Sequence, residues 1–435
     1  MGPLKEEATT TGTNNVTFHV LDDPRPDDMS LPAFMVSTTR GFLPRMDPIV
    51  TLPAEFDALE SLLQRMPIKT LTGEPGLLAR GMLGDAVARE LPDLTDRVDK
   101  HKHNLPLVNA LYRDYSFLAS AYFLEPCHER FMRGEPYGLG RQVLPANIAR
   151  PIARCAALCG FKPFMEYAGS YALFNYRPAD PSAGLSPANL RLIRAFEHGL
   201  DPTSSEAGFR ARARRQVACL DAAASPDRQA LNAALVQVVS ALRRINAVME
   251  TMWTRSKPAA YTSFRTFIFG ITAQSMFPAR RGRSFRGESG ANDSMVPLVD
   301  NLLQIPMPNT PLTRILDDFR AYRPSNHRAF LAWAKARSAH VGLKDWALAL
   351  HNDDGDEETR RQVVESRRLW LAALNQAVLG EMARLYEAVG GGNGGEWDLG
   401  DECRDIMGLV ARQEETLRKE VARFCEERGV EGDGV

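Results

Sequence analysis

Between residues 229 and 253 apolar side chains recur at steps of three and four: Leu231, Leu235, Val238, Leu242, Ile245, Val248 and Met252. That period commits the segment to one long helix, and its apolar stripe has to be covered by other helices. Lys257 and Pro258 end the run. A second helix is predicted directly after it, through Ile271. Earlier, Glu55 opens a helix that sets Phe56, Leu59, Leu62 and Leu63 on one face; residues 106–124 form a longer, aromatic-rich one; residues 151–160 form a short one closed by Gly160. Further helices are predicted at 187–198, 206–224, 328–350, 358–388 and from about 400 to 428. Clean two-residue alternation is scarce, so the fold class is all-α. The 435 residues leave room for two domains. The expected division is a flexible tail over 1–28, a small helical domain over 29–185 and a large helical domain over 186–430.

Charge and cysteine usage narrow the function classes. The net charge is −1, which argues against nucleic acid or an acidic membrane as partner. The arginines of 210–215 alternate with alanine and read as a solvated helix face. Cys127, Cys155, Cys159, Cys219, Cys403 and Cys425 make no disulfide framework, and no Cys-x-x-Cys-His occurs for covalent haem attachment. The first residues are polar, without the apolar core of a secretion signal, and no apolar run reaches the length of a membrane span. A cytoplasmic protein is the expectation. Residues 390–395, Gly-Gly-Gly-Asn-Gly-Gly, read as a linker or, alternatively, a substrate lid.

One histidine stands at a structural corner. Asn309 to Arg320 reads as a helix with Thr310 as cap, Pro311 as first helical residue, and Leu312, Ile315, Leu316 and Phe319 as its apolar stripe. Pro324 ends it, Ser325 can cap the next helix, and His327 falls in that helix's first turn. A metal ligand needs such rigidity, but so does a hydrogen-bonded core histidine, and the corner alone allows both. Arg265 sits in the apolar segment Tyr-Thr-Ser-Phe-Arg-Thr-Phe-Ile-Phe, residues 261–269, where it either snorkels to the surface or meets an anion.

In order along the chain, Tyr-Thr-Ser-Phe-Arg-Thr-Phe-Ile-Phe-Gly (261–270), Ser-Phe-Arg-Gly-Glu-Ser-Gly-Ala-Asn-Asp-Ser (284–294) and Tyr-Arg-Pro-Ser-Asn-His-Arg-Ala-Phe-Leu (322–331) resemble the haem-binding half of the indoleamine 2,3-dioxygenase family, in its fungal-type variant. The likeness reaches back to 143–151 and to Glu-Tyr-Ala-Gly-Ser-Tyr at 166–171. It covers most of the chain from about residue 140, and more faintly what precedes.

The resemblance implies a site. His327 is the expected axial ligand of a haem b iron, its second ring nitrogen donating to a neighbouring acceptor. Asp300 is expected to support the proximal side, and Arg323, with Arg320, to meet the haem propionates. Arg265 is expected to grip the substrate carboxylate with its fork. Tyr167, Ser170 (or Tyr171), Phe209, Ser289 and Gly290 are expected around the substrate, with part of the distal pocket supplied by the small domain. Asn393 lies in the matching mobile loop. The implied reaction inserts O2 across the indole C2–C3 bond of L-tryptophan to give N-formylkynurenine, catalysed by a monomer. Ala213, Glu288, Asn393, Glu396 and Trp397 depart from the family pattern. They motivate an alternative: the same haem fold acting on a modified indole, or serving as a low-turnover haem and oxygen sensor.

Overall fold

The protein is described by a computed structural model covering residues 18–183, 189–198, 227–250, 263–274, 283–287, 292–305, 309, 311–348, 357–388 and 419. In chain order the α-helices are α1 Asp57–Arg65, α2 Leu83–Glu90, α3 Thr95–Lys100, α4 Leu105–Met132, α5 Ala146–Cys159, α6 Arg228–Glu250, α7 Met295–Leu303, α8 Pro311–Arg320, α9 Ser325–His340, α10 Leu343–Leu348 and α11 Glu357–Ala388. Two short antiparallel ladders accompany them: β1 (Tyr176–Pro178) with β2 (Leu190–Leu192), and β3 (Ile271–Gln274) with β4 (Arg283–Phe285).

The first core is built around α4, which is buried along most of its length, charged Arg113, Asp114 and Glu125 included. Asn104 caps it by accepting from the Leu107 N–H at 3.2 Å, beside Pro106 in the first turn. Pro126 lies inside the helix and cannot donate to the Tyr122 carbonyl one turn back. Arg141 replaces the missing donor: its Nη1 bonds that carbonyl and its guanidinium lies 4.5 Å from the centre of the Tyr122 ring. Helices α1, α2 and α5 and the aromatic rings of Phe164, Phe174, Phe196 and Phe267 complete this core.

The second core holds the stripe that opened the sequence reading. Helix α6 lays Leu231, Leu235, Val238, Leu242 and Ile245 against α11, with Leu369, Trp370 and Ala373 opposite. Asn232 and Asn246, about four turns apart on α6, donate to Gln362 and Gln376 of α11, each bonding one backbone and one side-chain oxygen. These paired rungs fix the register of the two helices. Helices α7, α9 and α10 close the other side. The cores interleave along the chain: Phe267, Ile271 and Phe285 belong to the first, whereas Val36 and Phe42 belong to the second.

Several predicted elements differ. The described residues 189–198 of the helix predicted at 187–198 are not an α-helix; Leu190–Leu192 is a strand, register-paired with 176–178. Of the helix expected to run through Ile271, the described residues hold a 3-10 turn, Arg265–Ile268, and Ile271 begins β3. Here Gly287 meets Gly270 backbone to backbone: a Cβ on Gly287 would lie 2.2 Å from the Ile268 carbonyl. Helix α5 starts at Ala146 and carries Pro151 inside, although Gly160 closes it at φ +77° as expected. Ser325 is the first helical residue of α9 and its side chain caps nothing; Pro324 holds the cap position. Ile315 on α8 is 36% exposed, so that stripe is only partly covered. The Arg45 side chain ties down the backbone near the expected tail, donating to the carbonyls of Pro24, Arg25, Asp28, Leu31 and Pro32. The helices expected at 206–224 and, apart from Lys419, at 400–428 lie outside the described residues.

Candidate functional site

Helix α9 buries His327 completely in its first turn. The ring stands between the two cores. The Phe42 ring, from the second core, approaches it at 4.8 Å between centroids, and the Phe34 ring, from the first, at 6.1 Å, both edge-on. The N-terminal segment gathered by Arg45 supplies both rings. On one side of the imidazole, Nδ1 lies 3.2 Å from the Ser294 hydroxyl oxygen. On the other, Nε2 is buried and has no hydrogen-bond partner among the described residues.

Burial pushes this imidazole down to about 3, the Arg323 charge adds to the shift, and the polar backbone of Phe42 opposes it. The ring is therefore neutral at ordinary pH. A neutral imidazole whose Nδ1–H donates to Ser294 leaves its lone pair on Nε2, the atom that has no partner. An orphaned buried nitrogen is costly unless something else binds it. A metal-centred cofactor fits that requirement. Among the described residues no group of three or more His, Cys, Asp or Glu side chains could hold a metal ion. His128 on α4 also buries an unpartnered nitrogen, Nδ1, but its ring lies tilted against Phe267 of the first core.

The segment before α7 connects this histidine to the turn at 167–172. Asp293 caps α7, its Oδ1 accepting from the Met295 N–H at 2.7 Å. Arg323, 2% exposed, donates from Nε to the Asn292 carbonyl at 3.1 Å and from Nη2 to the Asp293 carbonyl at 2.6 Å. Burial lowers its guanidinium to about 10, while the charges of Asp293 and Asp300 raise it. Asp300, half-buried on α7, thus lies in the electrostatic surroundings of Arg323. The Asn292 amide in turn donates to Glu166 Oε2 at 3.0 Å.

Glu166 opens a single π-helical turn, Tyr167–Ala172. Its carboxylate accepts from the backbone N–H groups of Ala168 and Gly169, and Ser170 is tied to the Glu166 backbone. Burial raises this carboxyl to about 8, against those hydrogen bonds. Tyr167 stacks near Tyr171 at 6.2 Å. The stack continues through Phe117 of α4 and Phe196 to Phe267. Phe267 belongs to the turn that carries Arg265, and its carbonyl accepts from Ser120 of α4 at 2.6 Å. One helix, α4, therefore positions both the Tyr167 turn and the Arg265 turn. Arg265 is exposed, its guanidinium carbon 5.8 Å from the centre of the Phe269 ring.

His327, Arg323 and Asp300 thus share one neighbourhood, reached from Tyr167 and Ser170 through Glu166 and Asn292. Phe209, Ser289, Gly290 and Asn393 lie outside the described residues, as do Ala213, Glu288, Glu396 and Trp397. Sequence reasoning gave no role to Glu166, Asn292, Ser294, Phe34 or Phe42. Asn-Asp-Ser before the apolar run of α7 was a readable helix-start signal. Nothing local marks Phe42, which meets His327 only through the fold.

Fold and site define a helical protein in which one buried, neutral imidazole is available to a cofactor between two cores. The sequence model described as indoleamine 2,3-dioxygenase matches residues 30–357. Similar proteins include the indoleamine 2,3-dioxygenase 1 of Mus musculus, 23% identical over 76% of this chain and 81% of its own length. An indoleamine 2,3-dioxygenase of Aspergillus nanangensis is 24% identical over 74% of this chain and 79% of its own. That of Saccharomyces cerevisiae is 26% identical over 57% and 60%. The chain belongs to the indoleamine 2,3-dioxygenase family and is a haem-dependent dioxygenase. Among the described residues no helix is long and apolar enough to cross a membrane.

Proposed function

We propose that this enzyme, as a monomer, cleaves the indole C2–C3 bond of L-tryptophan and yields N-formylkynurenine. Both atoms of O2 enter the product, one on each former ring carbon, so the reaction consumes no external reductant. The observation that carries the reading is the buried, unpartnered Nε2 of His327 in a chain of this family. The small domain at 29–185 and the large one at 186–430 are proposed to enclose the site between them.

The residues would act as follows. His327 Nε2 would hold the iron of haem b, with the Ser294 hydroxyl accepting a hydrogen bond from Nδ1–H and fixing the ring's orientation. The bound haem would supply the dioxygen activation that no side chain provides. Arg323 and Asp300 form the charged surroundings of the proximal side. Arg323 already uses two of its nitrogens on backbone carbonyls, which supports a role in shaping the Asn292–Ser294 segment beside any contact to a propionate. Arg265 is exposed and at the edge of the α4 platform, which suits capture of a carboxylate arriving from solvent. Tyr167 and Ser170, with Phe209, Ser289, Gly290 and Asn393 from the resemblance, would line the substrate side. No side chain is assigned as general acid or base; orientation of the indole is the protein's main contribution.

The test is to load the full chain with haem, reduce it without oxygen, then add O2 and L-tryptophan and follow formylkynurenine absorbance. Absence of product with haem fully loaded contradicts the reading. Product from another indole in place of tryptophan supports the alternative substrate instead, which the departures at 213, 288, 393 and 396 favour.

A further inference from the structure

Glu166 lies outside the set of residues that the reaction requires, yet it ties the Tyr167–Ala172 turn to the segment before α7. Its side chain is 2% exposed as part of a turn that presents Tyr167 and Ser170. Three donors converge on its two oxygens: the Gly169 N–H on Oε1, and the Ala168 N–H and Asn292 Nδ2 on Oε2, the latter two each at 3.0 Å. Two of these bonds hold its own turn. The third leaves the turn and crosses to a segment distant in sequence. That segment is itself rigid, because Arg323 grips the carbonyls of Asn292 and Asp293 and Asp293 caps α7. Two residues beyond Asn292, Ser294 meets the His327 ring.

We propose that Glu166 is a positioning residue whose bond to Asn292 clamps the Tyr167–Ser170 turn to the segment that seats His327, so that the substrate-facing wall and the cofactor's histidine hold one fixed spacing. This rests on the functional reading above. The Asn292 side chain is suited to the task in either charge state of its partner. Its Oδ1 is buried and without a hydrogen-bond partner among the described residues. When the carboxyl is ionised, Nδ2 donates to it. When it carries a proton, rotation of the amide presents Oδ1 as acceptor to the Glu166 O–H, and the clamp survives. The connection is direct, one hydrogen bond long, and buried from end to end, so water cannot replace it cheaply.

The experiment uses the haem-loaded full chain as wild type, Asn292→Ala, Glu166→Gln, Glu166→Ala and the Glu166→Ala/Asn292→Ala double variant. Two quantities are read: the iron–imidazole stretching band of the reduced protein without substrate, and the L-tryptophan concentration that half-saturates its spectral shift. Asn292→Ala is expected to move the band and to raise half-saturation about tenfold, the loss of one buried hydrogen bond. Glu166→Gln keeps an oxygen for Asn292 and is expected to fall between wild type and Asn292→Ala. The double variant is expected to be no worse than the poorer single one, because both act through one bond. An unmoved band and unmoved half-saturation in Asn292→Ala overturn the clamp, and so do additive effects in the double variant. If wild type loads haem but shows no response to tryptophan, the substrate assignment fails, and the band still decides the clamp. Should Glu166→Ala not fold, Asn292→Ala and Glu166→Gln suffice.

Discussion

Replacing Arg194 with methionine tests whether the platform under the site depends on buried charge. Arg194 reaches two carboxylates at once: Nη1 and Nη2 bond Glu60 of α1 at 2.9 and 2.6 Å, and Nε and Nη2 bond Asp114 of α4 at 3.0 and 2.8 Å. The side chains of Arg194, Glu60 and Asp114 are only 8%, 12% and 0% exposed. Removing one partner of a buried pair costs about 3–5 kcal/mol, because the other is left charged and unpaired. Two carboxylates are orphaned here, but Arg113 stays bonded to Asp114 at 2.7 Å and offsets part of the loss. The expected cost of Arg194→Met is therefore about 4 kcal/mol. Urea titration followed by circular dichroism measures it. The effect also depends on pH. Burial would raise both carboxyls, but Arg194 holds Glu60 below its ordinary value, and Arg113 and Arg194 together do the same for Asp114. Depressed carboxylates stabilise the fold above their unfolded values, and that contribution is lost as pH falls through the folded ones. Wild type should thus lose stability steeply in acid, and Arg194→Met should show a shallower acid limb. A variant within about 1 kcal/mol of wild type at neutral pH refutes the argument that this cluster braces the first core.

Two further outcomes are expected. Glu166 has its carboxyl raised to about 8 from an ordinary 4.5, so between those pH values the native state keeps a proton that the unfolded chain has released. Its contribution to stability is full below the unfolded value and falls as pH rises to about 8. Glu166→Gln should therefore gain on wild type across that window in denaturant titrations, and a pH-independent difference argues against a raised carboxyl. Arg265→Ala should raise KM for L-tryptophan about a hundredfold, the loss of two charge-assisted hydrogen bonds, with a smaller fall in kcat. Arg265→Lys should recover part of it, and steady-state kinetics with KM unchanged in Arg265→Ala would remove this residue from the site.

Much of the helical frame could be read directly from the chain. The stripe on α6 matches the helix over 228–250, and Gly160 closes α5, because a left-handed cap and a 3.6-residue period are local properties. The strand at 190–192 was not legible: its three residues acquire their ladder only by meeting Tyr176–Pro178. The start of α5 was misplaced because proline usually opens helices, whereas Pro151 sits inside this one. In the site, the corner at Pro324 did mark His327. Its burial between Phe34 and Phe42 and its contact with Ser294 come from residues far apart in sequence. Nothing local marks Glu166, since only the long-range bond to Asn292 reveals why a carboxyl is buried there. The aromatic stack from Tyr167 to Phe267 was likewise invisible, because its members come from four separate segments.

The most direct test is the visible absorption spectrum of the full chain after haem supplementation, beside His327→Ala and His128→Ala prepared alike. The account predicts a Soret band in wild type, its retention in His128→Ala, and its loss or displacement in His327→Ala, since His327 Nε2 is the buried nitrogen that a cofactor would satisfy. An unchanged band in His327→Ala, or a band abolished only in His128→Ala, would contradict it.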